Sequence, residues 1–213
     1  YFKGTEKILL DINYRSKKEI IDVSNKLIEK NVSRYDKTIK CHQGEGAVVN
    51  YIMPKDSEDE AIQIGKEILE EIKKANTIAI VVHENPDGDA IGSALAMKLA
   101  LEQLNKEADV IIPEYPSAFS FLPGVEKIKK ESDMQEYDLA IALDCASIKL
   151  LNGFAKYFDN AKVKVAIDHH SSNTMFADYN FVDQEAPACA QLLLVIFNYF
   201  NIEVTKEIGT CIL

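Results

Sequence analysis

From Asn76 onward, short apolar runs alternate with stretches that have the spacing of amphipathic helices. The apolar runs are TIAIVVH from Thr77, ADVII from Ala108, DLAIALD from Asp138 and KVKVAID from Lys162. The helical stretches are AIGSALAMKLALEQL from Ala90 and QLLLVIFNYF from Gln191. Apolar strands separated by helices predict an α/β fold, in which a parallel sheet carries helices on both faces.

Histidines and carboxylates follow three of these predicted strands, at the point where each strand ends. In chain order they are His83, Asp87 and Asp89, then Asp144, then Asp168, His169 and His170. In a parallel sheet the carboxyl ends of the strands share one edge, and ligands bind there. Because this set holds three of the chain's four histidines, we expect the three strand ends to form one site.

The mixture of side chains at these strand ends indicates the chemistry of the site. Carboxylate oxygens together with imidazole nitrogens suit a borderline divalent ion such as Mn²⁺ better than Ca²⁺ or Mg²⁺. A bridging carboxylate allows two ions about 3.5–4 Å apart, which can activate a bound water and neutralise charge on phosphate oxygens. The pattern therefore predicts a phosphoryl-transfer site with two Mn²⁺ ions, and Mg²⁺ is the alternative ion.

The stretch HENPDGDAIGS, which begins at His83, also suits an ordinary turn that leads into a helix capped by Asp. Glycine lets the backbone come close to a ligand, and a helix N-terminus attracts anions. We therefore expect Gly88, Gly92 and Ser93 to bind phosphate. We place Asp168 in the catalytic set as a residue that caps a turn or supports a histidine ligand, rather than as a direct ligand.

Composition excludes several other functions and locations. The formal net charge of −10 argues against a basic surface that grips long nucleic acid. The four cysteines are scattered without a Cys-x-x-Cys pair, which favours a reducing cytoplasm over a disulfide framework or a thiolate zinc site. The longest apolar run, LLLVIF, is far shorter than the roughly 20 residues of a membrane helix.

The first 58 residues follow a different pattern. Ser16 and Glu19 have the spacing of a capping box, and the predicted core face of the helix that follows consists of Ile20, Ile21, Val23, Leu27 and Ile28. GAVVNYIM from Gly46 predicts a strand, and SEDEAIQIGKEILEEIKK from Ser57 predicts a second capped helix. We therefore expect a small α+β fragment in residues 1–58 and a separate domain in residues 59–213.

Several ordered motifs in the second part resemble the DHH phosphoesterase superfamily. They are HENPDGDAIGS, the strand-end Asp144 in ALDCAS, FLPG from Phe121, and the triplet Asp168-His169-His170. Together they are most similar to the bifunctional nanoRNase and pAp phosphatase branch. This resemblance implies Mn²⁺-dependent hydrolysis of short RNA or of 3′,5′-bisphosphate nucleotides, with a homodimer left open. RecJ-type single-strand exonucleases and pyrophosphatases of the same superfamily are the alternatives.

The resemblance also implies a role for each residue of the site. His83 and Asp87 would bind one ion, Asp89 and His169 the other, and Asp144 would bridge the two. His170 would contact the scissile phosphate. The family's fourth motif, Thr-Asp-Thr, and its glycine-rich substrate-binding domain would follow EIGTCIL, so we expect a truncated and impaired enzyme. An inert fragment that binds metal without turnover is a further hypothesis.

The first 58 residues resemble the fourth-motif region of UvrD/PcrA-type superfamily 1 helicases. The similar stretch is ILLDINYRSKKEIIDVSNKLIEKNVSRYDK, in which Arg15 would have the place of an arginine finger at the ATP γ-phosphate. A helicase fragment is therefore the rival interpretation. The sequence has no Gly-x-x-x-x-Gly-Lys-Ser/Thr loop, so we expect no complete ATP site. The junction is interpreted as a gene fusion or an assembly artefact.

Overall fold

The protein divides into two compact units, Tyr1–Met53 and Pro54–Leu213, in the computed structural model. The structure describes residues 10–14, 16–31, 37–46, 55 and 57–213. The division lies close to the predicted boundary after residue 58, and the assignment of the two parts as domains stays a prediction.

The described part of the first unit consists of two short strands and one helix. β1 (Ile12–Asn13) pairs in parallel with β2 (Lys40–Cys41), and α1 (Lys18–Glu29) lies between them in the chain. Asn25 holds the chain before β2, because its side chain both donates to the carbonyl of Ile39 and accepts from the amide of Ile39. Arg15 and most of the predicted strand GAVVNYIM lie outside the described residues.

The predicted capping box of α1 is wrong. The N-cap is Lys17, whose side chain makes no capping bond. The amide of Ser16 donates to Asn13 Oδ1 at 2.8 Å, and the carboxylate of Glu19 accepts from the amide of Gly46 at 2.9 and 3.0 Å. Glu19 has a closer partner in the segment after β2, so the reciprocal bond to Ser16 does not form.

The predicted core face of α1 is buried at only one position. Ile21 is buried, whereas Ile20, Leu27 and Ile28 are exposed. The helix itself is confirmed. However, β1 and β2 have only two residues each, and they offer little surface against which the apolar side of the helix could pack. An amphipathic pattern predicts a helix, and burial requires a partner surface.

The described residues of the second unit form five further strands and five further helices. In chain order they are α2 (Ser57–Lys74), β3 (Ile78–Val81), α3 (Gly88–Gln103), β4 (Ala108–Ile111), β5 (Leu139–Leu143), α4 (Ala155–Asp159), β6 (Val163–Asp168), β7 (Tyr179–Val182), α5 (Cys189–Phe200) and α6 (Lys206–Ile212). Three short 3-10 segments lie at Ser117–Phe119, Val125–Lys127 and Ile148–Phe154. The predicted helix from Ser57 and the four predicted strands are all present.

The strands of the second unit form one parallel sheet in the order β4-β3-β5-β6-β7. After β3 the chain adds β4 on one side of that strand, and it then crosses over to add β5 on the other side. The strand order therefore reverses at β3. Such a switch point opens a crevice at the carboxyl ends of the strands. The edge strand β7 was not predicted. Only Phe181 of its four residues is buried.

Apolar side chains cover both faces of this sheet, which confirms the predicted fold class. The larger core includes Ile68 of α2, Leu95 of α3, Leu193 of α5 and Ile208 of α6. The smaller core on the other face is formed around Tyr137, Leu151, Tyr157 and Phe158. No helix among the described residues is long and apolar enough to cross a membrane.

Candidate metal centre

Three neighbouring strands of the sheet bring their functional side chains to the same edge. His83 follows β3, Asp144 follows β5, and His169 and His170 follow β6. The Nε2 atom of His83 lies 3.8 Å from Asp144 Oδ2, and the Nε2 atom of His169 lies 3.4 Å from Asp144 Oδ1. His170 Nδ1 is 3.6 Å from the same Oδ1. Asp144 is therefore at the middle of the cluster.

Among the described residues, the potential ligands form two overlapping groups. One group is His83, Asp87 and Asp144, and the other is Asp144, His169 and His170. Within each group the candidate ligand atoms lie within 4.8 Å of one another. Because Asp144 belongs to both groups, its carboxylate is placed as a bridging ligand would be. The allocation of each residue to a particular ion stays a prediction.

The carboxylate of Asp144 is buried, and one of its oxygens has no hydrogen-bond partner among the described residues. Its residue is 2% exposed, and Oδ1 has no hydrogen-bond partner in the described part of the chain. Burial, followed by the charges of Asp89 and Asp87, raises the pKa of Asp144 to about 7. A buried oxygen without a partner destabilises a protein. A divalent cation would supply that partner, so these residues fit a metal ion.

Asp89 lies in neither group of potential ligands, although it is adjacent to His169. Its Oδ2 is 3.7 Å from His169 Nε2. The same carboxylate accepts from the amides of Cys189 and Ala190, at 2.7 and 2.9 Å, and so caps the N-terminus of α5. Oδ2 accepts only the Cys189 amide, and its second lone pair leaves Asp89 able to bind a cation as well.

The two histidines after β6 are held by different partners. His169 Nδ1 is 3.1 Å from the carbonyl oxygen of Ala186. A proton on Nδ1 would be donated to this carbonyl, which leaves Nε2 facing Asp144 with its lone pair free for a metal. His170 Nδ1 is 2.7 Å from Asp168 Oδ1, and this hydrogen bond is the main reason that the pKa of His170 is raised.

Asp168 and Asn173 support His170 from below the surface. Asp168 is fully buried, and its other oxygen accepts from the side-chain amide of Asn173 at 2.6 Å. Asp168 therefore holds the ring of His170 and lies outside both groups of potential ligands. Sequence reasoning missed Asn173. The only available signal was an amide residue five positions after Asp168, in a loop without periodicity.

The loop after β3 places Asp87 at the N-cap of α3. Asp87 Oδ1 accepts from the amide of Ala90 at 3.1 Å, and Gly88 is the first residue of the helix. A Cβ on Gly88 would lie 3.1 Å from the ring of Phe119, so this glycine admits the segment around Phe119 against the helix start. Gly88 is only partly buried, and its prediction as a phosphate-binding residue stays open to test.

The predicted phosphate-binding roles of Gly92 and Ser93 need correction. Both residues are buried. A Cβ on Gly92 would overlap the carbonyl oxygen of Cys211, so the glycine is required by the close packing of α3 against α6. The Ser93 hydroxyl donates to Asp89 Oδ1 at 3.4 Å. These contacts keep both residues away from a surface that phosphate could reach.

Comparison with known families agrees with both resemblances. The model of the N-terminal domain of the DHH family matches residues 77–213, and the model of the UvrD-like helicase C-terminal domain matches residues 8–107. The helicase match therefore extends past the predicted boundary at residue 58. The range 77–107, which contains β3 and α3, is shared by both matches.

Individual relatives give the same division. The bifunctional oligoribonuclease and PAP phosphatase NrnA of Thermus thermophilus is 31% identical over 155 residues, which cover 72% of this chain and 46% of that protein. The putative ATP-dependent DNA helicase YjcD of Bacillus subtilis is 30% identical over 93 residues, which cover 42% of this chain and 12% of that protein. The chain spans about half the length of the curated phosphatase relative that it matches.

A solved structure supports the fold and the family. The crystal structure of an exopolyphosphatase-related protein from Bacteroides fragilis matches with a TM-score of 0.65 and 26% identity, over 70% of this chain and 48% of that chain. The DHH match covers more than half of the 213 residues and includes every residue of the two groups of potential ligands. The chain thus belongs to the DHH family, and its residues 8–107 are similar to the UvrD-like helicase C-terminal domain.

Proposed function

We propose that this chain is a metal-dependent phosphoesterase that hydrolyses short oligoribonucleotides and 3′,5′-bisphosphate nucleotides. The observation that carries the proposal is the buried carboxylate of Asp144, which has an unpartnered oxygen and is shared by two groups of potential ligands. When bound, two Mn²⁺ ions supply Lewis acidity and lower the pKa of a coordinated water. Mg²⁺ is the alternative ion.

The proposed ligand set uses the side chains at the three strand ends. His83 and Asp87 would hold one ion, Asp89 and His169 would hold the other, and Asp144 would contribute to both. The carbonyl of Ala186 holds the His169 ring, and the amides at the start of α5 hold the Asp89 carboxylate. These bonds fix ligand orientation before any ion binds, which reduces the cost of binding.

His170 is the proposed contact to the scissile phosphate. Its side chain is 44% exposed, so the ring is accessible from solvent. Asp168 occupies Nδ1 and is itself held by Asn173, which leaves Nε2 free to donate to a phosphate oxygen. The Asn173–Asp168–His170 series therefore positions one donor beside the proposed metal ligands.

The substrate class is supported by the chemistry of the relatives. The similar protein of Thermus thermophilus is named as an oligoribonuclease and PAP phosphatase. A RecJ-like exonuclease and a pyrophosphatase remain the alternative activities within the superfamily. Cytoplasmic location and homodimer formation stay predictions, which cell fractionation and sedimentation would test.

The decisive experiment compares three substrates on the purified 213-residue chain. A ribodinucleotide, pAp and inorganic pyrophosphate are incubated with Mn²⁺, with Mg²⁺ or with EDTA. We expect hydrolysis of the dinucleotide and of pAp that EDTA abolishes. Asp144→Asn should remove this activity, whereas Asp159→Asn, at an exposed position on α4, should retain it.

Three outcomes would contradict the proposal. Full activity of Asp144→Asn would show that the cluster around Asp144 is not the reaction centre. Hydrolysis of pyrophosphate alone would replace the proposed substrate class with the pyrophosphatase alternative. If elemental analysis finds bound manganese but no substrate is turned over, the hypothesis of an inert metal-binding fragment is correct.

A further inference from the structure

A groove of about 980 Å³ lies at the same edge of the sheet, beyond the carboxyl ends of β3 and β4. The loop Glu84–Pro86 forms one side, and the segment Pro113–Pro116 after β4 forms another. Phe154, Lys130 and Glu131 complete the lining. Its volume is that of a site for a small organic ligand, which commonly measures about 300–1,000 Å³.

The groove is continuous with the proposed reaction centre along the chain. The loop Glu84–Pro86 connects His83 directly to Asp87, and both are proposed ligands of one ion. The loop is held in place, because the amide of Glu84 donates to the carbonyl of Leu150 and the Glu84 carboxylate accepts from Asn152. A molecule in the groove therefore lies against the same loop that carries the metal ligands.

Two aromatic rings in the groove are anchored from opposite faces of the sheet. Tyr115 packs against the larger core, and Phe154 packs against the smaller core. Phe154 is also stacked on Tyr157, with 6.3 Å between ring centroids. Rings held in this way suit a planar ligand, because aromatic side chains stack on any nucleobase with little dependence on its sequence.

The charges around the groove select against phosphate and in favour of hydroxyl groups. Glu84, Glu114 and Glu131 line it together with a single cation, Lys130. This excess of negative charge repels a phosphate group. Carboxylate oxygens accept hydrogen bonds from ribose hydroxyls and from exocyclic amino groups of bases, which are uncharged.

We propose that this groove binds the ribonucleoside adjacent to the scissile phosphate. Tyr115 and Phe154 stack on the base, and the carboxylate of Glu114 accepts from the ribose 2′-hydroxyl. This proposal rests on the proposed function, and it adds a subsite to the reaction centre. The reactive phosphate stays at the cluster around Asp144, outside the acidic groove.

The first test measures binding without metal and without turnover. Titration of the 213-residue chain with adenosine, followed by saturation-transfer difference NMR, should give a saturable signal. Tyr115→Ala should weaken binding about tenfold, whereas Tyr115→Phe, which keeps the ring, should retain it. 2′-Deoxyadenosine should bind more weakly than adenosine, and Glu114→Gln should reduce that difference. Equal adenosine binding by Tyr115→Ala and wild type would overturn the proposal.

The second test separates the groove from the reaction centre. With Mn²⁺ present, Tyr115→Ala should raise KM for the dinucleotide ApA about tenfold with kcat unchanged. An ApA analogue that lacks both bases should be hydrolysed equally by variant and wild type. An unchanged KM for ApA in Tyr115→Ala would refute the groove while the proposed activity stands.

The proposed function can also fail while the proposed groove stands. If wild type hydrolyses neither compound but adenosine binding depends on Tyr115, the groove is supported and the proposed function fails. Tyr115 is partly packed against the core, so its alanine variant is first checked by thermal unfolding. Glu114 is exposed, and Glu114→Gln repeats the comparison of adenosine with 2′-deoxyadenosine in a variant that removes no packing.

Discussion

The two units of this protein contain helices with similar sequence patterns and different environments. α1 in the first unit and α2 in the second both carry apolar residues at helical spacing. In α2 the positions Ile68 and Ile72 are completely buried against the sheet. In α1 the corresponding apolar side has Ile20 at 54% and Leu27 at 72% exposure.

The difference shows what a helical pattern does and does not determine. Spacing of apolar residues is a property of the segment, but burial depends on a surface supplied by the rest of the chain. The second unit provides a five-stranded parallel sheet, whereas the described part of the first provides a pair of two-residue strands. The second unit also contains the buried carboxylates Asp144 and Asp168, which only a large core can enclose.

The largest expected effect is on stability, and it tests this comparison directly. Ile68→Ala in α2 should lower the free energy of unfolding by about 2–5 kcal/mol, because it leaves a cavity in a closed core. Ile20→Ala in α1 should change it by less than about 0.5 kcal/mol. Urea unfolding combined with hydrogen exchange of each unit measures both. Similar losses for the two variants would mean that the first unit has a core of its own.

The second prediction concerns metal and the cluster around Asp144. Mn²⁺ at about 100 times its dissociation constant should stabilise the second unit by about 2.7 kcal/mol and raise its Tm by about 5–10 °C. Asp144→Asn should abolish this shift and, without metal, should not lower stability, because it removes a buried charge. Asp11→Asn in the first unit is the control. A normal Mn²⁺ shift in Asp144→Asn would remove Asp144 from the ligand set.

The third prediction compares two asparagines, Asn173 and Asn25, whose side chains each donate and accept hydrogen bonds. Asn173→Ala should lower kcat about 10–100-fold, because Asp168 loses the partner that helps it to hold His170. Asn25→Ala in the first unit removes the two hydrogen bonds to Ile39 but should leave kcat unchanged. Steady-state hydrolysis of pAp gives both values. Equal activity of Asn173→Ala and wild type would show that Asp168 positions His170 without Asn173.

The smallest expected effect concerns acid stability. The hydrogen bond from Lys162, together with the amides of Asn76 and Thr77, lowers the pKa of Asp138 from 3.8 to about 2. Its stabilising contribution is therefore present above about pH 4 and is lost as the pH falls through 2. The stability difference between wild type and Asp138→Asn should shrink over that range, as urea unfolding at several pH values would show.

Asp11 in the first unit is a second carboxylate that pairs with a lysine. Lys40 lowers the pKa of Asp11 through a hydrogen bond and an ion pair. This pair connects the residue before β1 with the first residue of β2. The carboxylate of Asp138 also accepts hydrogen bonds from two backbone amides. The ion pair between Asp11 and Lys40 lies at the surface, and such pairs contribute little to the free energy of unfolding. Asp11→Asn should therefore change acid stability less than Asp138→Asn does. A larger effect of Asp11→Asn would contradict this ranking.

Much of the second unit could be predicted from local patterns. Four of its five strands are apolar runs, and three of these runs end in His or Asp, so the positions of the strands and the common edge of those three follow from the sequence. β7 was missed because its alternation of polar and apolar residues is weak. The capping box of α1 was predicted wrongly because Glu19 reaches an amide 27 residues away, which no local pattern reveals.

The sequence by itself determined which side chains could bind metal, because ligand chemistry and strand ends are local properties. Their support depends on the tertiary structure. Asp89 is held by amides about 100 residues distant, and Asn173 holds Asp168 from a loop without periodicity. No sequence pattern indicated the groove beside Tyr115. The structure also shows that Gly92, which the sequence predicted to bind phosphate, lies in the contact between α3 and α6. Burial and hydrogen-bond partners arise from segments far apart in the chain, so they exist only once the sheet and its helices have packed.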